Sequence, residues 1–589
     1  FACGHALTFR ARGRRWLWGG ITAVLGVAIA ANLTVLVQWL AGLVSLGGGV
    51  PQASLADLPF LPGGLVKWLW GGARLPAFDY WYQATRIIPY TINEFPFFSY
   101  LFADLHPHMM SLPFTILVLL LLASFALPPR RPPAIAALAL VALVVGALGP
   151  TNTWDLPTYL CLMAVMLVWL GVRSGEGSWG LLRAVWVGAL AYLLYLPFYA
   201  AYHAPAARPQ WASSHTGVRY FAIVWGLWLL AGYGWLIARY WRGRDGAGRF
   251  LRLLRHAHGR RVLRRWRRHV QAGPGLRAAL VVGLFVAAAV SAASGEGVLA
   301  LVLPLLGLSL DLWLRSQAAI EERVSGLFAA FGWLILLALE LMFLADFLQG
   351  SEWQRMNTVF KFGMQAWVLL GLSLAAALPW VLSWLRSRGA LGHRVAWAAG
   401  VIALAAVSLS YAPLAIVARV AERFPGGLPP AGTLDGLAYM RTGAYHWPDQ
   451  EHTIELRHDL DAIRWLQSNV TGTPVIAEAA IGYYREGGMR VASYTGLPTL
   501  VGMHQVEQRA PSVVYARQAL ADELYRSPDA ERTLDIMRSL RVRYVYVGQL
   551  ETLVYGPLVP AKFAALAGRG VLDAVYANAG VTIYRYSGF

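Results

Sequence analysis

Long, uninterrupted apolar runs are the feature of this sequence that most restricts its fold. A helix of about 20 apolar residues matches the hydrocarbon thickness of a bilayer. Eleven runs near this length lie at 16–46, 109–127, 134–149, 157–172, 181–200, 218–238, 276–294, 297–314, 325–346, 362–385 and 395–418. They show no alternation of period two, which argues against β-barrel strands. Because only 14% of the residues are charged, we predict an α-helical polytopic membrane protein with about eleven transmembrane helices.

The arginines divide the connections between these runs into two sets, and this division predicts sidedness. The basic set holds Arg10, Arg12, Arg14, Arg15, Arg130, Arg131, Arg173, the loop 239–277, Arg315, Arg323, Arg386, Arg388 and Arg394. The other set holds Lys67, Arg74, Arg86, Arg208, Arg355 and Lys361. We expect the first set in the cytoplasm and the second outside it, in a protein of the cell (inner) membrane.

The net charge of +19 is concentrated in the loop 239–277. Apolar runs flank this loop, so we interpret it as a cytoplasmic segment that lies on anionic lipid head groups or anchors the topology. Nucleic-acid binding is therefore not expected. Cys3 and Cys161 are the only cysteines, and they predict no disulfide framework. The chain begins with Phe1 rather than Met, which indicates a processed or incomplete chain.

The sequence changes character near residue 420. Residues 1–419 form the predicted transmembrane domain, with a large first outer loop at 47–108, and 420–589 carry more charge and short alternating helix and strand signals. Helices are predicted at 459–470 and 529–540, and strands at 474–477, 543–548 and 581–586. About 170 residues suffice to bury a core. We expect a small extracytoplasmic α/β domain.

The outer connections contain polar and aromatic residues that are costly to place at a membrane boundary. They are Trp81, Tyr82, Glu94, Asp104, His106, His108, Asn152, Trp154, Asp155, Glu340, Asp346, Arg355, Asn357 and Lys361. Ionisable groups in such places are normally paired, hydrated or bound to a ligand. We therefore predict one functional site, open to the outer side, that includes these residues.

Several interpretations of these residues remain open. Asp104, His106 and His108 form either a divalent metal site, a hydrogen-bonded helix entry or part of a catalytic centre. Glu94 and Asp104 are candidate general bases, because proximity to lipid is expected to raise a carboxyl pKa toward neutrality. Their alternative is a structural role, such as a turn before Pro96.

Two cations on the outer side are candidates for phosphate binding. Arg355 and Lys361 both suit a phosphate or pyrophosphate. Their alternative is an ion pair with Asp346 or Glu352. Glu340 lies deeper in its apolar run, where we expect a partner across the bundle.

Several motifs resemble one known family. The run INEFPFFSYLFADLHPHMMSLPF, the upstream YWYQATR, the turn GPTNTWDLPTY and the segment from Glu340 through RMNTVFKF resemble the YYY family of bacterial and archaeal membrane proteins. That family is described as a domain of unknown function. The tail stretches IRWLQSNVTGTPVIAEA and SYTGLPTLVGMHQVEQR are similar to the same family. The resemblance touches most of the chain.

The family is similar in layout to GT-C glycosyltransferases, which move a sugar from a polyprenyl-phosphate carrier to a glycan or protein acceptor outside the cytoplasm. By this resemblance Glu94 or Asp104 deprotonates the acceptor, and Arg355 and Lys361 hold the carrier phosphate. Trp81, Tyr82 and Trp154 then stack on sugar faces. The chain lacks the adjacent acid pair common in GT-C enzymes. A transporter or lipid flippase and a non-enzymatic assembly protein remain alternatives.

Overall fold

The structure is a computed structural model in two compact units, Phe1–Ala418 and Arg419–Phe589. It describes residues 1–8, 15–52, 54–103, 105–127, 133–202, 208–242, 274–346, 348–385, 391–423, 432–446, 451–482, 487–502, 505–506 and 509–588. Asp104 and most of the basic loop 239–277 lie outside these residues, as do Arg10, Arg12, Arg14, Arg130, Arg131, Arg386 and Arg388.

The first unit is built almost entirely of helices. They are α1 (Ala2–Thr8), α2 (Arg15–Val24), α3 (Thr34–Leu46), α4 (Leu61–Leu69), α5 (Tyr82–Thr85), α6 (Pro96–Phe102), α7 (Pro107–Ala126), α8 (Ile135–Thr151), α9 (Leu156–Ser174), α10 (Gly177–Leu194), α11 (Leu196–Ala201), α12 (Val218–Arg242), α13 (Pro274–Ala293), α14 (Gly297–Leu314), α15 (Ile320–Leu341), α16 (Met356–Leu385) and α17 (Leu391–Arg423). A π-helical turn covers Leu25–Ile29 and a 3-10 helix covers Leu55–Phe60. Two short antiparallel strands, β1 (Arg208–Trp211) and β2 (Met342–Ala345), pair beside the bundle.

Among the described residues, eight helices are long and apolar enough to cross a membrane: α7, α9, α10, α12, α14, α15, α16 and α17. The pair Leu17–Ile29 and Thr34–Leu46 is bent by 57° and adds a ninth span if it crosses as one. The apolar helices α8 and α13 are shorter. Helices occupy the eleven predicted runs, except that strand β2 (Met342–Ala345) lies at the end of the run 325–346. The predicted count of eleven spans is not confirmed. The chain is a multi-pass membrane protein.

The bend between α2 and α3 leaves backbone groups that a continuous helix would satisfy. The Ser408 hydroxyl of α17 accepts a hydrogen bond from Ala31 N at 2.9 Å and donates one to Ala31 O at 2.6 Å. Leu33 N donates to Ile223 O of α12 at 2.9 Å, and the Asn32 amide donates to Ala84 O at 2.7 Å. Neighbouring elements therefore satisfy the backbone N–H and C=O groups at the break, and buried backbone groups need such partners.

Sequential helices of the bundle pack as antiparallel neighbours. Gly171 of α9 and Gly180 of α10 mark one close approach, because a Cβ at Gly171 would lie 2.6 Å from the Gly180 Cα. Small residues of this kind allow helix backbones to approach in membranes. Large side chains, among them Trp235, Trp333 and Trp367, fill the interior. The core therefore combines close backbone contacts with bulky aromatic packing.

The described arginines of the basic set gather at one end of the bundle. Arg239 pairs with Glu322 at 2.7 Å and Arg315 with Asp311 at 2.7 Å. Both acids are buried. The connections with the candidate site residues lie at the opposite end, because the helices alternate in direction. The assignment of the arginine-rich end to the cytoplasm stays a prediction from charge.

The second unit contains a small sheet with helices around it. Strands β5 (Val475–Ala477), β6 (Val542–Val547), β7 (Leu572–Ala577) and β8 (Thr582–Tyr586) form one sheet in the order β5-β6-β8-β7. β5 runs parallel to β6, and β8 runs antiparallel to both β6 and β7. A separate hairpin joins β3 (Ala444–His446) and β4 (Thr453–Glu455).

The described residues of the second unit form six α-helices. They are α18 (Leu456–Asn469), α19 (Arg490–Thr495), α20 (Pro511–Arg526), α21 (Ala530–Ser539), α22 (Gln549–Tyr555) and α23 (Val559–Gly568), with a 3-10 turn at Ala438–Arg441. Asp529 caps α21 by accepting hydrogen bonds from the backbone of Glu531 and Arg532. The predicted helices at 459–470 and 529–540 and the three predicted strands of this region are confirmed within two or three residues. Its placement outside the cytoplasm stays a prediction.

Candidate functional site

The long first connection folds back onto the bundle and brings Glu94 to its end. The Asn93 side chain holds the preceding turn, because its Oδ1 accepts a hydrogen bond from Ile88 N at 2.7 Å. Phe95 and Phe98 are fully buried beside it, and α6 begins at Pro96. These contacts leave the Glu94 side chain with 16% of its surface exposed.

A chain of polar contacts joins Glu94 to Lys361 through one imidazole. Glu94 Oε2 lies 3.2 Å from His108 Nε2, and Lys361 Nζ lies 3.5 Å from His108 Nδ1. An ammonium can only donate, so Nδ1 accepts and Nε2 carries the proton that it donates to Glu94. The Ser99 hydroxyl also donates to Glu94 Oε2, at 2.8 Å. His108 therefore bridges the Glu94 carboxylate and the Lys361 ammonium through its two ring nitrogens.

The pKa of Glu94 lies below its ordinary value. Burial alone would raise this pKa, but the hydrogen bond and the electrostatic interaction with His108, the hydrogen bond from Ser99 and the charge of Lys361 outweigh that effect. Donors that stabilise a carboxylate lower its pKa. The expectation that lipid raises this pKa toward neutrality is therefore wrong for Glu94, which is ionised at neutral pH.

Asp155 forms a second buried acid next to this chain. It lies just before α9, and its Oδ2 accepts a hydrogen bond from Ser111 Oγ at 2.5 Å. Burial raises the pKa of Asp155 to about 6, while Ser111, Asn152, Gln365 and the Lys361 charge limit the rise. Gln365 also donates to Trp154 O at 3.0 Å. Asp155 is thus the carboxyl of this site whose pKa is raised toward neutrality.

Ser111 and Gln365 were missed in the sequence, although helical periodicity could have found them. Ser111 follows His108 by three positions on α7, and Gln365 follows Lys361 by four on α16. Such spacings place side chains on the same helix face. The polar surface therefore continues one turn deeper into the bundle than the outer connections alone suggest.

Arg355 belongs to a separate cluster around Glu340. Glu340 accepts hydrogen bonds from Thr216 N and Thr216 Oγ1, both at 2.7 Å, and lies 3.3 Å from Arg355 Nη2. Arg355 also donates to Ser214 O and Leu339 O, each at 2.6 Å. The expected alternative of a pair with Asp346 or Glu352 is wrong, because Glu340 is the carboxylate partner. Arg355 is 5% exposed and tied into the protein on three sides.

Asp346 and Asn357 hold the connection between α15 and α16. Asn357 Nδ2 donates to Asp346 Oδ2 at 2.8 Å, and the backbone of Leu348 donates to Asp346 Oδ1 at 2.8 Å. Asp346 and Asn357 therefore stabilise this connecting loop. They contact neither Lys361 nor Glu94 in the described hydrogen bonds.

One small cavity connects the two clusters. Glu94 and Glu340 both belong to its lining, and the other lining residues are mainly apolar residues of α12, α15 and α16. Its volume of about 20 Å³ suits a single water molecule. The two acid clusters are therefore neighbours across this cavity.

The aromatic candidates lie close to the polar chain but differ in exposure. Trp81 stacks on Phe102 with ring centroids 6.3 Å apart, and Trp154 meets Phe362 edge to face at 6.0 Å. Tyr82 is 55% exposed. Tyr82 thus presents an open ring, whereas the two tryptophans are partly covered.

The described residues do not fit the divalent metal interpretation. The His106 and His108 rings are 4.9 Å apart, but both His108 nitrogens already contact Glu94 or Lys361. A lysine ammonium beside the imidazole would also repel a cation. No group of three or more His, Cys, Asp or Glu residues suited to a metal occurs among the residues that the structure describes. Asp104, the third predicted ligand, lies outside them.

The comparisons with known proteins agree with the fold. No curated protein matches the chain. The sequence profile of an uncharacterised membrane protein family, DUF2298, matches residues 1–370 and so includes every candidate residue described above. This confirms the predicted membership in a family of polytopic membrane proteins of unknown function. The chain belongs to the DUF2298 family of uncharacterised membrane proteins.

Proposed function

We propose that this protein transfers a sugar from a polyprenyl-phosphate carrier to a glycan or protein acceptor on the extracytoplasmic side of the membrane. The observation that carries the proposal is the Glu94–His108–Lys361 chain at the end of the bundle. In this chain the His108 imidazole separates the Glu94 carboxylate from the Lys361 ammonium. Sugar transfer from a phosphate needs these two charges.

The carboxylate acts on the acceptor. The acceptor oxygen bonds to the anomeric carbon, while its proton passes to Glu94. Glu94 is ionised before the reaction because its pKa is low. Asp155, with a pKa of about 6, is a second group able to take up a proton nearby. Asp104 remains an alternative base from the sequence.

The cation acts on the leaving group. When the bond between the anomeric carbon and the phosphate oxygen breaks, its electron pair stays with the carrier phosphate. Lys361 stabilises that charge, because a fixed cation lowers the energy of a developing anion. Arg355 supports the fold instead, since Glu340 and two backbone carbonyls occupy its guanidinium. Tyr82, Trp81 and Trp154 supply aromatic faces for the sugar.

One feature favours transport as a second candidate. Transporters often bind solutes at interrupted helices, and the break between α2 and α3 is such an interruption. In this chain, however, hydrogen bonds with the Ser408 hydroxyl, the Asn32 side-chain oxygen and Ile223 O satisfy backbone groups of the break. The acids and Lys361 lie at the end of the bundle, which fits sugar transfer better.

The test is replacement of Glu94 by Gln and Lys361 by Gln in the host membrane. Each variant should lose one surface glycan and accumulate the lipid-linked sugar, as measured by mass spectrometry of glycans and extracted lipids. Glu176→Gln, at the opposite end and paired with Arg183, is the matched control and should change neither quantity. Normal glycan and an unchanged lipid-linked pool in both site variants, at normal protein levels, would refute sugar transfer. Solute uptake by the purified protein in liposomes would support transport instead.

A further inference from the structure

The arginine-rich end of the bundle contains a cluster that the proposed sugar transfer does not use. Arg173 ends α9, Arg277 begins α13 and Arg323 begins α15. The charges of Arg173 and Arg277 both act on the Arg323 guanidinium. Three helices therefore direct like charges to one place, although like charges repel at short range.

Two buried carboxylates of the described helices at this end are each engaged by a neighbouring arginine. Asp311 pairs with Arg315 at 2.7 Å, and the contact of its other oxygen with Arg277 is long, at 3.9 Å. Glu322 is engaged by Arg239 at 2.7 Å. Asp311 and Glu322 are thus each held at 2.7 Å by arginines other than Arg173, Arg277 and Arg323.

The cluster also presents donors and aromatic rings in a suitable arrangement. The Arg277 Nη1 atom is buried and makes no hydrogen bond among the described residues. The Arg323 guanidinium lies 4.8 Å over the Trp169 ring, and its Nε donates to Trp313 O at 2.9 Å. The rings of Trp169 and Trp313 are 6.2 Å apart. Tryptophans are typical of the membrane interface, so the cluster has the composition of a head-group site.

We propose that Arg173, Arg277 and Arg323 bind the phosphate of an anionic phospholipid between α9, α13 and α15. An arginine fork matches the oxygens of a phosphate and tolerates partial burial. Basic pockets between transmembrane helices are suited to anionic head groups. A phosphate oxygen can accept from the buried Arg277 Nη1 atom, which makes no hydrogen bond among the described residues. The inference is independent of sugar transfer, because the site lies at the other end of the helices.

The first experiment needs no variant. Purified full-length protein is stripped of lipid in neutral detergent, and its Tm is measured with added phosphatidylglycerol or phosphatidylcholine. Phosphatidylglycerol should raise the Tm and remain bound in native mass spectra, while phosphatidylcholine should do neither. Inorganic phosphate is the third addition. Equal shifts with both lipids would overturn the proposal, and displacement of phosphatidylglycerol by millimolar phosphate would assign the site to free phosphate instead.

Variants then locate the site. Arg277→Gln and Arg323→Gln should each weaken phosphatidylglycerol binding by roughly fivefold, the loss expected for one arginine at a lipid surface. Arg183→Gln is the matched control, because Arg183 lies at the same end on α10 and pairs with a partly exposed Glu176. It should leave binding unchanged. If the double variant Arg277→Gln/Arg323→Gln binds as tightly as the control, the lipid lies elsewhere.

Discussion

Glu94 and His108 lie 3.2 Å apart through Oε2 and Nε2, and 14 positions separate them in the chain. Two prolines direct the backbone between them, since α6 begins at Pro96 and α7 begins at Pro107. Proline is favoured in the first turn of a helix because it lacks an N–H to satisfy. The sequence between the two helices therefore turns the imidazole back toward the carboxylate. This pairing makes the protonation of Glu94 depend on His108.

Replacing His108 by Leu should raise the pKa of Glu94. The imidazole donates the hydrogen bond that most lowers this pKa, and without it burial dominates. Ser99→Ala removes the weaker donor and should raise the pKa less. An infrared titration of the protonated carboxyl band, compared with Glu94→Gln to assign the band, measures both shifts. A band position and midpoint unchanged in His108→Leu would show that the imidazole does not control Glu94.

Asp155→Asn should make the protein less sensitive to pH. The folded pKa of Asp155 is about 6, above its ordinary value of 3.8, so the folded state holds the proton more tightly. The free energy of unfolding therefore falls as pH rises from about 4 to 6, and the loss is complete above 6. The shift corresponds to roughly 2–3 kcal/mol. Asparagine removes the cost of a buried ionised carboxylate, and its side-chain oxygen can still accept the hydrogen bond from the Ser111 hydroxyl.

The measurement is the Tm of wild type and Asp155→Asn between pH 4 and 8 in one detergent. The Tm values of the two proteins should differ least at pH 4, and the variant should have the higher Tm at pH 8. Asp346→Asn, an acid in a loop, is the comparison for a general effect of charge removal. A wild type that gains stability relative to Asp155→Asn as pH rises would contradict the buried-acid interpretation.

Ser408→Ala should destabilise the break between α2 and α3. The hydroxyl both accepts from Ala31 N and donates to Ala31 O, so its removal leaves two buried backbone groups without partners. Each such group costs about 1–3 kcal/mol. Ser410→Ala is the matched control, because the Ser410 hydroxyl donates to Val407 O of its own helix and makes no other side-chain hydrogen bond among the described residues. The Tm should fall by several degrees in the first variant and hardly at all in the second; equal values would mean that other groups satisfy the break.

The sequence predicted the helices well because apolar length is a direct consequence of bilayer thickness. It also predicted that Glu94, His108, Asp155 and Lys361 belong together, since alternating helices bring alternate connections to one end. The bend at Ala30–Leu33 was not predicted, because the run 16–46 is mostly apolar and was interpreted as one span despite Asn32, Thr34 and Gln38. The partners that satisfy its break come from α12 and α17.

Charge pairing was the weaker part of the prediction. Arg355 was expected to pair with the nearby Asp346 or Glu352, yet it binds Glu340, and Thr216, 124 positions before Glu340, completes the cluster. Such partners depend on where the helix ends meet, which composition does not encode. The pKa of Glu94 was misjudged for the same reason. The expectation considered lipid alone, whereas His108 and Ser99 decide the direction.

Arg355→Gln should lower the free energy of unfolding strongly. The substitution leaves the Glu340 carboxylate and two backbone carbonyls in a buried cluster without their donor. Breaking a buried pair by removing one partner costs about 3–5 kcal/mol. Arg183→Gln removes an arginine from a pair that is 23% and 42% exposed, where about 0–1 kcal/mol is typical.

The same two variants separate structural support from phosphate binding. A large fall in Tm for Arg355→Gln, with little change for Arg183→Gln, supports the assignment of Arg355 to the fold. Arg355→Lys should recover part of the loss, since an ammonium restores the charge but not the planar fork. If Arg355→Gln keeps its Tm but no longer binds polyprenyl phosphate, then Arg355 is a ligand of the carrier after all, and Lys361 does not hold the phosphate alone.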